Sequence, residues 1–394
     1  MSRHILILNE RDLENPRAGG AEIHLFEIFG RLADVGDRVT MLCAGFDGGA
    51  RDAEIAGITV RRHGNRYTYY ARVGAACRRY LRAERPDVLV EAHNKLPFLS
   101  PLYTRIPRLV IVHHLFGTTA FRQVPAPVAA VVVVAEALIP WCYRRDRFIA
   151  ISESSRADLV RRGLPEDAIR VVLPGVDAAR YRPAPEARSA EPLVVFVGRV
   201  EWYKRLDVLL RALVRVRAAG VPARLVVAGT GAALPRVQSL AAGLGLASAV
   251  EMPGFVDEAE KVRLLQGAHV VVQPSEKEGW GLTVVEANAC GTPVIAAAVP
   301  GLLDSVRDGE TGLLVPARDD TALAAALVRV LTDGALRARL SAGALAWARR
   351  FSWEAAAAEV GAAIDAACGR AALAAPDVRA ARTLSLSLRS PEGR

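Results

Sequence analysis

Two glutamates separated by seven residues form the pattern most suggestive of chemistry in this sequence. Glu278 lies in a loop after an apolar run, and Glu286 lies about one turn inside the helix that the sequence predicts from near Leu282. Carboxylate oxygens accept hydrogen bonds from sugar hydroxyls. Gly279 and Gly281 let backbone N–H groups approach an anion just before the helix begins. The segment therefore predicts a site for a sugar joined to a diphosphate; the alternative is a glycine-rich turn with solvated acids.

Two cations follow another apolar run, Leu193–Val197. Arg199 and Lys204 stand where a strand is predicted to end and a helix to begin. Cations in this position can clamp phosphate oxygens and stabilise a departing nucleoside diphosphate. Cations after a strand are more often merely solvated. The prediction that Arg199 and Lys204 bind the diphosphate and take part in catalysis therefore depends on their occurrence together with the two glutamates.

These motifs together resemble the retaining glycosyltransferases of family 4, a group-1 family with the GT-B fold. The resemblance covers about residues 3–365 and is strongest in Glu278–Leu282, Glu286–Ile295 and Gly198–Lys204. It implies that Glu286 binds the ribose of a UDP- or GDP-sugar and that Glu278 contacts the donor sugar near the reacting centre. It also implies that the sugar is transferred to an acceptor hydroxyl with retention of anomeric configuration.

The same resemblance implies further site residues. In the N-terminal half, Gly19, Gly20 and Glu22 match an element that borders donor and acceptor, and His113 matches a catalytic histidine, although the adjacent His114 leaves the register open by one residue. The sequence departs from the common pattern near Gly301 and Asp304, which stand where many relatives carry two glycines and a glutamate. The remaining substrate-binding residues implied by the resemblance are Gly229, Gly231, Phe255, Val256, Gly279, Trp280, Gly281 and Leu282.

The elements that must position these residues follow from hydrophobic patterning. Short apolar runs alternate with amphipathic helical stretches, which predicts an α/β protein with two Rossmann-like doubly wound parallel sheets facing a central cleft. The predicted organisation is an acceptor-binding domain at 1–177, a linker at 178–192, a nucleotide-sugar domain at 193–352, a C-terminal helix at 353–368 packing back toward the N-terminal domain, and a disordered tail at 369–394.

Composition excludes several classes of protein. The five cysteines are scattered without a Cys-x-x-Cys pair, which argues against a disulfide framework or a zinc knuckle. No Asp-x-Asp occurs, so we expect no metal. Gly229-Thr230-Gly231 lacks the third glycine of a dinucleotide fingerprint, so we expect no cofactor. No apolar run reaches the roughly 18 residues needed to span a bilayer, and the apolar run near the N-terminus is too short for a signal-peptide core, which favours a cytoplasmic protein.

The net charge of +9 is concentrated in the N-terminal half. Residues 61–85 carry eight arginines and one acid, and the apolar segment Val124–Cys142 precedes Arg144, Arg145 and Arg147. This combination predicts reversible attachment to the inner face of an anionic membrane and a lipid-linked, polysaccharide or small-molecule acceptor. The alternative is a buried helix beside a solvated face. The arginines are not interleaved with a nucleic-acid module, so we expect no nucleic-acid partner.

Two other functions remain open from the sequence. A sugar-nucleotide epimerase of the same fold would bind the same donor, and a non-catalytic protein could bind a nucleotide sugar without transferring it. Nothing in the sequence supports the epimerase over a transferase, and a binding protein would not need the carboxylate pair and the cationic clamp together at strand ends. Transfer is therefore the favoured interpretation.

Overall fold

The structure is a computed structural model that describes residues 2–94, 96–122 and 124–370. The chain divides into two compact units, with the boundary between Gly175 and Val176. The second unit ends at Ser352, and residues 353–370 belong to the first. Of the predicted tail, residues 371–394 lie outside the described part of the chain.

The first unit is built on an eight-stranded sheet in the order β3-β4-β2-β1-β5-β6-β7-β8. All neighbouring strands pair in parallel except β3 and β4. The strands are β1 (His4–Leu8), β2 (Arg38–Gly45), β3 (Asp52–Ile55), β4 (Ile58–Asn65), β5 (Val88–His93), β6 (Arg108–Val112), β7 (Arg147–Ala150) and β8 (Ile169–Val171).

Helices cover this sheet and complete its core. They are α1 (Gly20–Asp34), α2 (Tyr69–Glu84), α3 (Ala126–Ala137), α4 (Ile139–Cys142), α5 (Glu153–Arg161) and, from the end of the chain, α13 (Trp353–Ala367). An ion-pair cluster joins α13 to the first strand: the Arg3 guanidinium contacts Asp37 at 2.5 Å and Asp365 at 3.3 Å. It also donates to the Gly361 carbonyl.

The hairpin β3–β4 adds one antiparallel pair at the edge of this otherwise parallel sheet. Ala56 and Gly57 both have positive φ, as a two-residue hairpin turn requires. Sequence patterning missed these strands because β4 is rich in arginine. One of those arginines, Arg62, is buried and paired with Asp12 at 2.8 Å, so it is not part of a solvated basic face.

The second unit contains a six-stranded parallel sheet in the order β11-β10-β9-β12-β13-β14. Its strands are β9 (Leu193–Val197), β10 (Arg224–Ala228), β11 (Val250–Gly254), β12 (Val270–Gln273), β13 (Val294–Ala297) and β14 (Gly312–Val315). Its helices are α6 (Leu206–Ala218), α7 (Leu234–Gly243), α8 (Glu258–Gly267), α9 (Leu282–Ala289), α10 (Leu302–Ser305), α11 (Asp320–Thr332) and α12 (Gly334–Ala348).

This strand order is that of a Rossmann fold, and it determines where a ligand can bind. The direction of winding reverses between β9 and β12, and in open parallel sheets a crevice forms beyond the carboxyl ends of the two strands at such a switch point. The loops that follow β9 and β12 carry the cationic motif and the glutamate motif. The topology thus brings together two segments that are far apart in the chain.

Candidate active site

The loops after β9 and β12 are tied to each other at this switch point. The backbone N–H of Glu276 donates to the Tyr203 carbonyl at 2.8 Å. The Glu276 carboxylate also accepts from Arg205 at 2.5 Å and lies 2.7 Å from Arg318. These contacts hold the glycine-containing loop against the segment that carries the two predicted cations.

Within this pair of loops, Lys204 and Glu278 form an ion pair with a separation of 2.5 Å between Nζ and Oε1. Both side chains are largely buried. Burial by itself would lower the pKa of Lys204, but the adjacent Glu278 carboxylate outweighs that effect and the pKa is raised. The lysine is therefore a fixed positive charge at neutral pH. Arg199 is more exposed, with Glu201 3.8 Å away.

Glu286 lies in α9 beside Lys261, a residue that sequence reasoning missed. The Lys261 ammonium is 2.8 Å from Glu286 Oε1 and 3.5 Å from Glu258 Oε1. Tyr181 completes the group by donating from its hydroxyl to Glu258 Oε2 at 2.5 Å. Burial raises the pKa of Glu286, and the Lys261 ammonium offsets only part of that rise.

Several of the predicted glycines are required by close backbone approach. A Cβ on Gly229 would stand 1.9 Å from the Gly198 carbonyl oxygen, and one on Gly231 would stand 2.2 Å from that of Val200. A Cβ on Gly301 would stand 2.5 Å from the Glu278 carbonyl oxygen. The glycines therefore let the β9 and β12 loops pack tightly against neighbouring segments, which shapes the site even where no glycine touches a ligand.

The residues of the loop that leads into α9 differ in backbone conformation and in exposure. Gly281 has a φ of 90° and precedes α9, which begins at Leu282 as the sequence predicts. The Trp280 side chain is 2% exposed and packs edge-on against Phe351. Gly279 and Leu282 are half-buried.

In the first unit, Glu22 has a structural partner. Its carboxylate accepts from the Gly19 backbone N–H at 2.7 Å and lies 3.4 Å from the Arg11 guanidinium. Glu22 thus caps the N-terminus of α1 and is itself buried. Gly19 is half-buried and Gly20 is exposed.

His113 is buried and forms a pair with His24 of α1. Its Nε2 lies 3.2 Å from His24 Nδ1, and His113 is only 3% exposed. Burial lowers the pKa of His24 to about 3. The pKa of His113 is well below its usual value, mainly because the ring is buried and to a smaller extent because His24 is close. Both rings are therefore neutral at physiological pH. His114 is half-buried and stacks edge-on with Phe116.

The second unit thus brings together Arg199, Lys204, Glu278 and the glycine loop, as their positions after adjacent strands predict. Phe255 and Val256 follow β11, where the Gly254 carbonyl accepts from the Gly229 N–H at 2.6 Å. The residues that sequence reasoning missed are Glu258, Lys261 and Tyr181. The spacing of Glu258 and Lys261 indicates a helical ion pair, but nothing local connects either residue to Glu286.

The described residues also bear on two other kinds of site. No group of three or more His, Cys, Asp or Glu side chains in this part of the chain is arranged to hold a metal ion. No helix in the ranges 2–94, 96–122 and 124–370 combines the length and apolar character needed to cross a membrane.

Comparison with known proteins agrees with this architecture. Solved structures with the same fold include sucrose-phosphate synthase from Thermosynechococcus elongatus, with a TM-score of 0.78 and 25% identity over 91% of this chain and 97% of that one. Another is HepE from Anabaena in complex with UDP and glucose, with a TM-score of 0.73 and 20% identity over 91% of this chain and 98% of that one. Two α/β units of this kind define the GT-B class.

Family models place the chain within that class. Residues 18–180 match the model described as Glycosyltransferase Family 4, and residues 177–347 match Glycosyl transferases group 1. The chain therefore belongs to the family 4, group 1 glycosyltransferases.

Among curated proteins, it is similar to D-inositol 3-phosphate glycosyltransferases. That of Acidothermus cellulolyticus is 41% identical over 49% of this chain and 46% of the relative, and that of Streptomyces bingchenggensis is 36% identical over 64% and 60%. The matched part of the chain spans about half of such relatives.

Proposed function

We propose that this glycosyltransferase moves a sugar from a UDP- or GDP-sugar to an acceptor hydroxyl with retention of anomeric configuration, in the synthesis of a cell-envelope polysaccharide, glycolipid or other glycoconjugate. The observation that carries the proposal is the Lys204–Glu278 ion pair at the switch point, with Arg199 in the same loop as Lys204. The cations would neutralise the diphosphate, and Glu278 would face the donor sugar. Glu286, farther along the chain, would accept hydrogen bonds from the ribose.

The proposed reaction uses these charges, and its stereochemistry follows the family resemblance. The bond between the anomeric carbon and the phosphate oxygen breaks, and the positive charges of Arg199 and Lys204 stabilise the departing nucleoside diphosphate. The acceptor oxygen attacks the same face of the sugar, and its proton passes to the leaving phosphate oxygen. This route needs no carboxylate nucleophile and no metal, and it retains the configuration at the anomeric carbon.

A panel of UDP- and GDP-sugars, incubated with and without acceptors, tests this proposal. We expect slow release of free nucleotide and sugar in the absence of acceptor, and NMR of the transferred product should show the anomeric configuration of the donor. An inverted product would overturn retention. Conversion of the donor to an isomeric nucleotide sugar without nucleotide release would instead indicate an epimerase, and binding without turnover would indicate a non-catalytic protein.

We further propose that the first unit attaches reversibly to the inner face of an anionic membrane. The support is an apolar surface around α3, defined by the exposed residues Val124, Val128, Val131, Val134, Leu138 and Trp141. Trp141 is 67% exposed, and the exposed arginines Arg144, Arg145 and Arg147 follow it directly. Apolar side chains next to arginines match the acyl boundary and the charged headgroups of such a membrane.

The one acid of α3 does not oppose this attachment. Glu136 is fully buried, and its carboxylate accepts from the backbone N–H groups of Phe116 and Gly117 at 2.6 and 2.7 Å. Arg162 pairs with it at 3.2 Å. The helix is thus buried on one face only: Glu136, Ala129 and Val132 face inward. The alternative of a buried helix beside solvated arginines stays open to the test below.

Sedimentation with liposomes tests this attachment. We expect binding to vesicles containing anionic lipid, little binding to neutral vesicles, and release as salt rises, because the attraction is screened over a Debye length. Val131→Asp should abolish binding, whereas the matched control Leu102→Asp should not, since Leu102 is 60% exposed but lies outside the α3 surface. Equal failure to bind either vesicle at low salt would contradict the proposal.

A second candidate acceptor is a soluble phosphorylated polyol or sugar. The curated relatives are named for D-inositol 3-phosphate, and one structural neighbour is named sucrose-phosphate synthase. Transfer to such a compound in the absence of lipid, at a rate unaffected by Val131→Asp, would favour this candidate over a lipid-linked acceptor.

A further inference from the structure

Lys261 is largely buried and has several partners, unlike a lysine in a surface ion pair. It lies one turn inside α8, with its side chain turned toward α9, and only about one-tenth of that side chain is exposed. Its ammonium contacts Glu286 Oε1 at 2.8 Å and Glu258 Oε1 at 3.5 Å, and it lies 5.2 Å from the centroid of the Tyr181 ring. The lysine is thus held in place from three directions.

The two oxygens of Glu286 are not equivalent. Oε1 is occupied by Lys261, whereas Oε2 is buried and accepts no hydrogen bond from the described residues. A buried carboxylate oxygen without a partner is costly, so such an atom calls for a ligand that is absent from the protein itself. The hydroxyls of a ribose would satisfy it.

We infer that Lys261 is a positioning residue for the donor nucleotide: by binding Oε1 of Glu286, it fixes the carboxylate with Oε2 free to accept from a ribose hydroxyl. This inference rests on the proposed ribose-binding role of Glu286. Glu258 acts one step further away, and the Tyr181 hydroxyl lies near both carboxylates. The Tyr181 hydroxyl binds Glu258 Oε2 at 2.5 Å, which leaves Glu258 Oε1 facing the lysine.

Charge supports the same arrangement. The two carboxylates of Glu258 and Glu286 raise the pKa of Lys261 in spite of its burial, so the ammonium is a permanent cation. Without it, Glu286 would lose the nearest group that favours its ionised form. A protonated carboxyl is a weaker acceptor, and the preference for a ribose over a deoxyribose would decline with it.

Calorimetric titration of nucleotides tests the inference. Whichever of UDP and GDP binds the wild-type protein more tightly is compared with its 2′-deoxy and 3′-deoxy forms. We expect the wild type to prefer the ribonucleotide by about tenfold or more over at least one deoxy form, as a hydrogen bond to a charged group would provide. Lys261→Met should reduce this preference to within about twofold, and Lys261→Arg should restore part of it.

The matched control is Arg263→Met on the same helix. Arg263 is exposed and pairs with Glu260 of the same helix, so this change removes a cation from α8 without touching Glu286 and should keep the wild-type preference. If Lys261→Met does not fold, the double variant Lys261→Met/Glu258→Gln is used in place of the single variant. It keeps the net charge of the cluster. A ribose preference unchanged in either variant would overturn the inference while leaving the proposed function intact. No preference in the wild type would overturn the ribose-binding role of Glu286 and this inference together.

Discussion

The Lys204 ammonium lies 2.5 Å from Glu278 Oε1, which joins the loop after β9 to the loop after β12 by a nearly buried ion pair. The two residues come from segments that the Rossmann topology makes neighbours. In the proposed complex, the donor diphosphate would compete with Glu278 for this cation and leave the carboxylate free to turn toward the sugar.

The cationic residues should be essential for turnover. Because Lys204 is buried next to the proposed diphosphate site, Lys204→Ala should lower kcat/KM by about 10²–10³-fold. Arg199→Ala, which removes a more exposed cation, should lower it by about tenfold to a hundredfold. Steady-state kinetics with the true donor measures both, and Arg215→Ala on the exposed face of α6 is the control. Wild-type kcat/KM in either variant would contradict the assignment.

The two glutamates should differ in which kinetic constant they change. Glu286→Ala should mainly raise the donor KM, because the ribose is bound equally in the ground state and the transition state. Glu278→Ala should mainly lower kcat, because its partner is the sugar that reacts. Substitution of the exposed Glu310 should change neither constant. If Glu286→Ala mainly lowered kcat and Glu278→Ala mainly raised the donor KM, the two roles would have to be exchanged.

Turnover should not depend on a divalent metal. The cations Arg199 and Lys204 can supply the charge neutralisation that a metal ion provides in other transferases. Initial rates in EDTA should therefore match those in buffer alone. A loss of activity that Mg²⁺ or Mn²⁺ restores would show that the clamp is insufficient.

The buried His24 should make the first unit less stable in mild acid. Its pKa is about 3 in the folded protein, below the ordinary value of 6.5, so the unfolded chain binds the extra proton. Stability is then full above pH 6.5 and falls as pH decreases toward 3. Between pH 7.5 and 5.5, His24 alone should cost about 1.4 kcal/mol of unfolding free energy. Urea titrations of the wild type and His24→Phe measure this difference, and an equal pH dependence in both would contradict it.

Gly229 should be required for stability as well as for the site. Its Cβ would stand 1.9 Å from a backbone oxygen, so Gly229→Ala should destabilise the second unit by at least about 2 kcal/mol. Gly243 lies at the end of α7 with nothing within 4 Å of its Cβ, and Gly243→Ala should change stability by less than about 1 kcal/mol. Thermal unfolding compares the two, and equal melting temperatures would show that the β9 and β10 loops can separate.

The sequence by itself determined the α/β architecture and the positions of the motifs proposed to bind the donor. Buried parallel strands are continuous apolar runs, and a motif placed directly after such a run must stand at the carboxyl end of a strand. Arg199, Lys204, Glu278 and the start of α9 could therefore be located without coordinates. These features are local, because each depends on residues close together in the chain.

Only the tertiary structure decided which distant side chains meet. Lys261 reaches Glu286 because α8 packs against α9, and His113 meets His24 because α1 lies near the end of β6. The α3 helix shows the same limit: a helix that is apolar on nearly every side does not indicate which face is buried. The structure shows that Glu136 and Val132 face inward, with the Glu136 carboxylate bound to backbone N–H groups of another segment, whereas Val131 is exposed.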